Sequence, residues 1–203
     1  MQGKNTSEES FWRLYTSGCP LMRAAEVSET IQIPDDVQVD LEGRKIIMKG
    51  AKGTLTRDFS FAPVSMKLEG KKLRIWAEWP RKKEASIVGT LNSHIKNMIT
   101  GVTKGFTYKV KIVFSHFPIS AKLKDKTILI ENFTGERSPR KAKIIGNVKV
   151  KILSEDIYVQ GTDLEEVSHT AANIEQATRV KRKDPRIFLD GLYIYEKSEG
   201  MEE

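Results

Sequence analysis

The sequence predicts an α+β protein made of two duplicated domains, each a small, mainly antiparallel β-sheet with a packed α-helix. Apolar and polar residues alternate with period two over most of the chain, as in strands that lay one face on a core. Two segments replace that rhythm with the three-and-four spacing of an amphipathic helix. The programme of strands, glycine-containing turn, strands and helix also runs through twice. Pro34 matches Pro118, and Leu73 and Ile75 match Ile157 and Val159, at a spacing of 84; Gly53 matches Gly135 at 82. A helix with one apolar face needs a sheet to cover, so the shared order implies one unit copied once.

Residues 1–26 have no strand alternation and few packing residues beyond Phe11, Trp12, Leu14 and Tyr15, so an N-terminal extension, expected to be disordered, is the default. A short partner-binding segment and initiation at Met22 are the alternatives. The first unit, 27–105, opens with alternation at Ile31 and Ile33, then Val37, Val39 and Leu41, then Ile46 and Met48, punctuated by Pro34 and Gly43. Gly50 and Gly53 precede a strand over 54–61. Strands over 64–68 and 73–76 flank a Glu69-Gly70-Lys71 turn. The spacing of Val88, Leu91, Ile95 and Met98 predicts a helix over 83–99, ended by Gly101 and Gly105. The second unit, 106–197, repeats this: Val110, Ile112 and Phe114, then Ile119, Ala121 and Leu123, then 127–130. Asn132-Phe133-Thr134-Gly135 stands where Gly50 to Gly53 stood. Strands over 142–145, 148–152 and 157–159 follow, and residues 198–203 read as an acidic tail.

The second helix begins after Gly161. Thr162 can cap its first turn while Glu165 reaches back to the cap's backbone N–H, a capping box. Leu164, Val167, Ala171, Ile174 and Ala177 or Thr178 form the buried face. His169, Asn173 and Gln176 are turned away, and all can donate or accept hydrogen bonds. Arg179, Lys181, Arg182, Lys183 and Arg186 follow within eight residues, opposed only by Asp184. Pro185 lacks an N–H and disfavours helix at Asp184, so the helix ends before it. A second basic cluster lies on the loop from Thr134 and Gly135 through Arg137 and Ser138 to Arg140 and Lys141. Both clusters belong to the second unit. They can contact phosphates, with Asn173 and Gln176 available for sugar or base-edge bonds.

Composition narrows the partner. The 203 residues are 39% apolar and 30% charged with a net charge of +7, which fits real cores and a polyanionic partner, nucleic acid or an anionic membrane surface. Cys19 is the single cysteine, so no internal disulfide exists. No apolar run approaches the roughly 18 residues of a membrane helix, and the first 20 residues do not read as a signal peptide. A cytosolic or nuclear location is expected. His94, His116 and His169 share no metal-ligand spacing with each other or with Cys19, so no metal is expected. Asp35-Asp36 and Glu165-Glu166 fall at a turn and a helix start, where carboxylates are solvated or favour the dipole. Without a Gly-x-Ser-x-Gly elbow, a Walker loop or a dinucleotide fingerprint, no catalytic or cofactor site assembles. What remains is a binding surface.

The set HFPI at 116–119, NFTGE at 132–136, SHTAANIEQATRVKRKD at 168–184 and RIFLDGLYIYEK at 186–197 resembles the sixth protein of the large ribosomal subunit, numbered nine in the eukaryotic cytosol. GRKIIMKGAKGTLTRDF at 43–59 and SHIKNMITGVTKGFTYK at 93–109 resemble the same family, and 182–193 resembles its archaeal and eukaryotic branch. The resemblance covers about 30–197. It implies two duplicated domains and a non-enzymatic role. The second domain would bind large-subunit rRNA near the sarcin–ricin region, and the first would reach toward the stalk base and neighbouring large-subunit proteins, with translation factors nearby. The location implied is the cytoplasmic large subunit, with nucleolar assembly if eukaryotic. Two departures stand out: 21 residues precede Met22, and the loop between Arg140 and Glu155 is compact. A free RNA-binding regulator or ribosome-assembly adaptor is the competing reading.

Overall fold

A computed structural model describes residues 25–180, 184 and 187–201. The expected N-terminal extension therefore lies almost wholly outside the described residues, as does Met22. The first repeat runs β1 (Glu26–Gln32), β2 (Gln38–Glu42), β3 (Lys45–Gly50), β4 (Gly53–Asp58), β5 (Ser65–Glu69), β6 (Lys72–Glu78) and α1 (Lys82–Thr103). The second runs β7 (Phe106–Val113), β8 (Ser120–Lys124), β9 (Thr127–Glu131), a single 3-10 turn (Phe133–Gly135), β10 (Arg140–Lys143), β11 (Lys149–Leu153), β12 (Asp156–Gly161) and α2 (Leu164–Ala177). A last strand, β13 (Gly191–Glu199), closes the chain.

Each repeat holds two small antiparallel sheets rather than the single one expected. They are ordered β1-β6-β5 and β2-β3-β4 in the first, β11-β12-β7-β13 and β10-β9-β8 in the second. The duplication extends to individual hydrogen bonds. Ile33 N–H donates to the Lys71 carbonyl as Ile112 N–H does to that of Glu155, and Phe59 N–H to that of Arg44 as Ile144 N–H does to that of Lys126. Leu73 and Ile75 on β6, like Ile157 and Val159 on β12, are fully buried. Each such side chain contributes roughly 1.5–3 kcal/mol relative to exposure.

The helices lie on these cores with the faces their periodicity marks. Val88, Leu91, Ile95 and Met98 of α1 join the first core; Val167, Ala171 and Ile174 of α2 join the second. Thr170 is buried too, its hydroxyl accepting from Ile145 N–H, so the one polar group on that face is satisfied.

Three expectations are corrected. Helix α1 does not stop before Gly101 but runs through it to Thr103, because the helix crosses the second repeat there. A Cβ on Gly101 would lie 2.1 Å from the Thr162 carbonyl oxygen, so only glycine admits that approach. Gly105, with φ +79, is the residue that turns the chain out. The N-cap of α2 is Asp163, not Thr162: its carboxylate accepts from Glu165 N–H. Glu165 does not reach back to a cap; its carboxylate pairs with Arg57 of the first repeat, whose guanidinium also donates to His94 Nδ1. Finally, Ser198 and Glu199 are not tail but the end of β13. Gly200 N–H and Met201 N–H then donate to the carbonyls of Gly105 and Lys104, strapping the chain's end across the link between repeats.

Candidate nucleic-acid interface

The loop between β9 and β10 is held in a shape that sequence alone would not favour. Asn132, Thr134 and Gly135 all adopt left-handed backbone, with φ of 59, 53 and 74. For β-branched Thr134 this costs of order 1–3 kcal/mol and persists only where neighbours enforce it. Here the neighbours are identifiable. Phe133 is buried beneath the turn, Asn132 Nδ2 donates to the Pro118 carbonyl at 3.0 Å, and Thr134 Oγ1 reaches Glu136 Oε1 at 3.4 Å. The Phe117 ring packs on Gly135, where a Cβ would stand 3.3 Å from Cε1.

Arg140 anchors the far side of the loop. Its Nε and Nη2 chelate the Glu136 carboxylate at 2.9 and 2.6 Å, its Nη1 donates to the Ala177 carbonyl at 2.9 Å, and its plane lies 4.3 Å from the Phe133 ring centroid. The Arg140 hydrogen bonds hold the Glu136 carboxyl below its ordinary pKa. Arg140 thereby ties the loop to the end of α2. Ala177 is the last residue of α2, whose exposed carbonyls carry the negative end of the helix dipole. Covering that carbonyl with a guanidinium removes a partial charge that would repel an approaching phosphate.

The two clusters meet. Arg140, Lys141, Gln176, Ala177 and Arg179 line one open cleft of about 420 Å³. Lys141, Gln176 and Arg179 are exposed, as are Arg137 and Ser138 on the loop that leads into it. Asn173 is only partly exposed and donates to the Lys143 carbonyl at 3.0 Å, so its amide steadies β10 against α2 as well as facing outward. His169 is exposed but does not line the cleft. It stands seven residues before Gln176, about 10 Å along the same helical face at 1.5 Å rise per residue. Lys181, Arg182, Lys183 and Arg186 lie outside the described residues.

What flanks that basic run is described. On one side Thr178 Oγ1 accepts from Leu192 N–H at 3.0 Å. On the other, buried Asp190 accepts from Ser115 N–H and Oγ, both at 2.8 Å, and from His116 N–H at 3.1 Å. Burial works to raise the Asp190 pKa, but these bonds outweigh it and hold the carboxyl below the usual range. The bend at 115–117 is thereby clamped to the segment after the basic run. Ser115, His116, Phe188 and Asp190 were not among the residues picked out from the sequence as candidate contacts. Among the described residues no cluster of His, Cys, Asp or Glu could hold a metal, and no helix is long and apolar enough to cross a membrane.

Comparison with known proteins decides the family. A family model described as Ribosomal protein L6 matches residues 33–105 and again 117–191, one match per repeat. The chain belongs to the ribosomal protein L6 family. Its relatives include the large ribosomal subunit protein uL6 of Desulfurococcus amylolyticus, 49% identical over 184 residues, which span 89% of this chain and all of that protein. The uL6 proteins of Archaeoglobus fulgidus and Ignicoccus hospitalis are 44% and 47% identical, with 94% and 86% of this chain and 98% and 97% of theirs aligned. L6 membership places the chain among ribosomal proteins rather than enzymes, and these uL6 relatives place it in the archaeal branch of the family. Both L6 matches fall on the α+β units that the internal repeat marks out.

Proposed function

We propose that this L6-family chain is a structural constituent of the large ribosomal subunit that fastens large-subunit rRNA through its second repeat. The observation that carries the reading is the convergence of two sequence-distant basic segments, the loop ending at Arg140 and Lys141 and the α2 exit at Arg179, on one open polar cleft. Arg137, Lys141 and Arg179 contact phosphates, Gln176 and Asn173 contact sugar or base edges, and the cations Lys181, Arg182, Lys183 and Arg186 add phosphate contacts. The finer placement follows the family: rRNA near the sarcin–ricin region, with the first repeat toward the stalk base, neighbouring ribosomal proteins and docking translation factors, in the cytoplasm.

Phosphate contacts predict salt dependence. Replacing Arg137 and Lys141 by Ala in the full chain should weaken binding to the large-subunit rRNA and flatten the plot of log affinity against log salt by about 0.7–0.9 per lost contact. Unchanged affinity and slope would remove those residues from the interface. A chain that washes off large subunits in high salt would favour the free-regulator reading instead.

A further inference from the structure

The bend at 115–117 presents aromatic surface that the phosphate-binding cleft does not use. The His116 imidazole lies nearly parallel to the Phe188 ring, 15° apart with centroids at 4.8 Å, and 49% of the His116 side chain remains exposed. Phe117, packed on Gly135, is itself 41% exposed. Ile187 and Leu189, on either side of Phe188, are exposed as well. Scattered apolar residues on a surface need no explanation. His116 and Phe117, however, are neighbours on one bend, and the bend is fixed from two sides: Asp190 holds the backbone of Ser115 and His116, and Asn132 holds the Pro118 carbonyl. The Phe117 ring touches the same loop that carries Arg137 onward to the cationic cleft.

Resting on the rRNA reading above, we propose that this bend is a stacking platform for an unpaired nucleobase. The second repeat then selects RNA in which a bulged or looped-out base adjoins the gripped phosphates, rather than uninterrupted duplex. Side chains cannot read the deep, narrow major groove of A-form RNA, whereas splayed bases stack readily on His and Phe rings. A base laid on His116 extends a stack that Phe188 has already begun; one laid on Phe117 meets a ring that Gly135 holds in place. Because the rings are ordered before RNA arrives, little conformational entropy is lost on contact. Arg137, exposed two residues along the loop from the Gly135 on which Phe117 packs, favours a polyanion over an apolar peptide as occupant.

The test uses the full chain and two RNA hairpins of equal length and charge, one perfectly paired in its stem and one with a single bulged purine there, compared by fluorescence anisotropy. The wild-type chain should prefer the bulged hairpin. Phe117→Leu, which keeps an apolar side chain of similar size, should lower affinity for the bulged hairpin about 5- to 100-fold while leaving the paired one unchanged; Phe117→Tyr should keep the preference. Equal binding of the two hairpins by the wild type, including none to either, overturns the proposal. So does a Phe117→Leu chain that matches wild type on the bulged hairpin, or one that weakens both hairpins alike. Failure of the phosphate reading is seen separately, in an unchanged salt slope for Arg137→Ala and Lys141→Ala.

Discussion

Gly101→Ala should destabilise the protein even though it improves the helix. In an isolated helix interior, alanine is favoured over glycine by about 1 kcal/mol. Gly101, though, sits where α1 crosses the second repeat, and its new Cβ would stand 2.1 Å from the Thr162 carbonyl oxygen and 3.2 Å from Phe106 Cε2. The nearer atom belongs to backbone, so it cannot rotate aside; the helix and the β12–α2 junction must part by roughly 1 Å. Overpacking of this kind costs typically 1–3 kcal/mol, enough to reverse the propensity gain. Gly89 supplies an internal control. It lies on the exposed side of the same helix, and a Cβ there meets nothing within 4 Å. Gly89→Ala should therefore stabilise by about 0.5–1 kcal/mol. The helix-propensity gain is common to both, so the two variants should differ by the overpacking cost, about 1–3 kcal/mol, which for a chain of this size is roughly 2–12 °C in Tm by calorimetry. A Gly101→Ala protein that melts at or above Gly89→Ala would refute the close packing of the repeats.

Arg140→Ala should lose about 1–3 kcal/mol in urea denaturation by freeing the Glu136 carboxylate and the Ala177 carbonyl, and Arg140→Lys should not restore it, since an ammonium cannot chelate in that fork. Full stability in Arg140→Ala would refute that tie between loop and helix. Asp190→Asn should alter the acid limb of stability. The folded-state pKa of Asp190 is lowered, so its contribution is present above the ordinary value of 3.8 and is lost as pH falls through the lowered one. The gap between wild type and Asp190→Asn in urea midpoint should thus hold steady from pH 7 to about 5 and close below 3.8; parallel curves down to pH 3 would contradict the clamp.

Local periodicity carried the helices and most strands, because Val88, Leu91, Ile95, Val167, Ala171 and Ile174 each face a core for the same geometric reason. It failed wherever a residue's partner lies far along the chain. Glu165 has the spacing of a capping box, yet it is taken by Arg57, more than one hundred residues earlier. Thr162 has a capping hydroxyl, but its carbonyl packs on Gly101 and the next residue, Asp163, caps instead. Strand β13 does alternate, with Leu192 buried and Tyr193 and Tyr195 exposed, yet it lies beyond the last strand the period-two reading marked, after the basic run and Pro185. Arg140 looked like any other cation in a basic loop. Only Glu136, four residues before it, hinted that its guanidinium was already engaged.

The comparison of the repeats bears on why the proposed RNA-binding cleft lies in the second. In both, the turn after the middle strand of the small sheet meets the C-terminal end of that repeat's helix. In the first, the turn from Gly50 to Gly53 is short. Lys52 N–H donates to the Val102 carbonyl, a Cβ on Gly50 would strike that same carbonyl at 2.7 Å, and one on Gly53 would touch Thr162 of the other repeat at 3.5 Å. That turn is spent on joining the repeats and presents no cationic side chain beyond Lys52. In the second repeat the corresponding position carries the longer loop from Asn132 to Pro139. The helix-end carbonyl, that of Ala177, is satisfied by the Arg140 side chain instead of a backbone N–H. Capping the helix from a side chain leaves the loop backbone free to stand away from the helix, with Lys141 lining the open cleft between them. One structural position thus serves as a joint in one copy and carries the proposed RNA grip in the other.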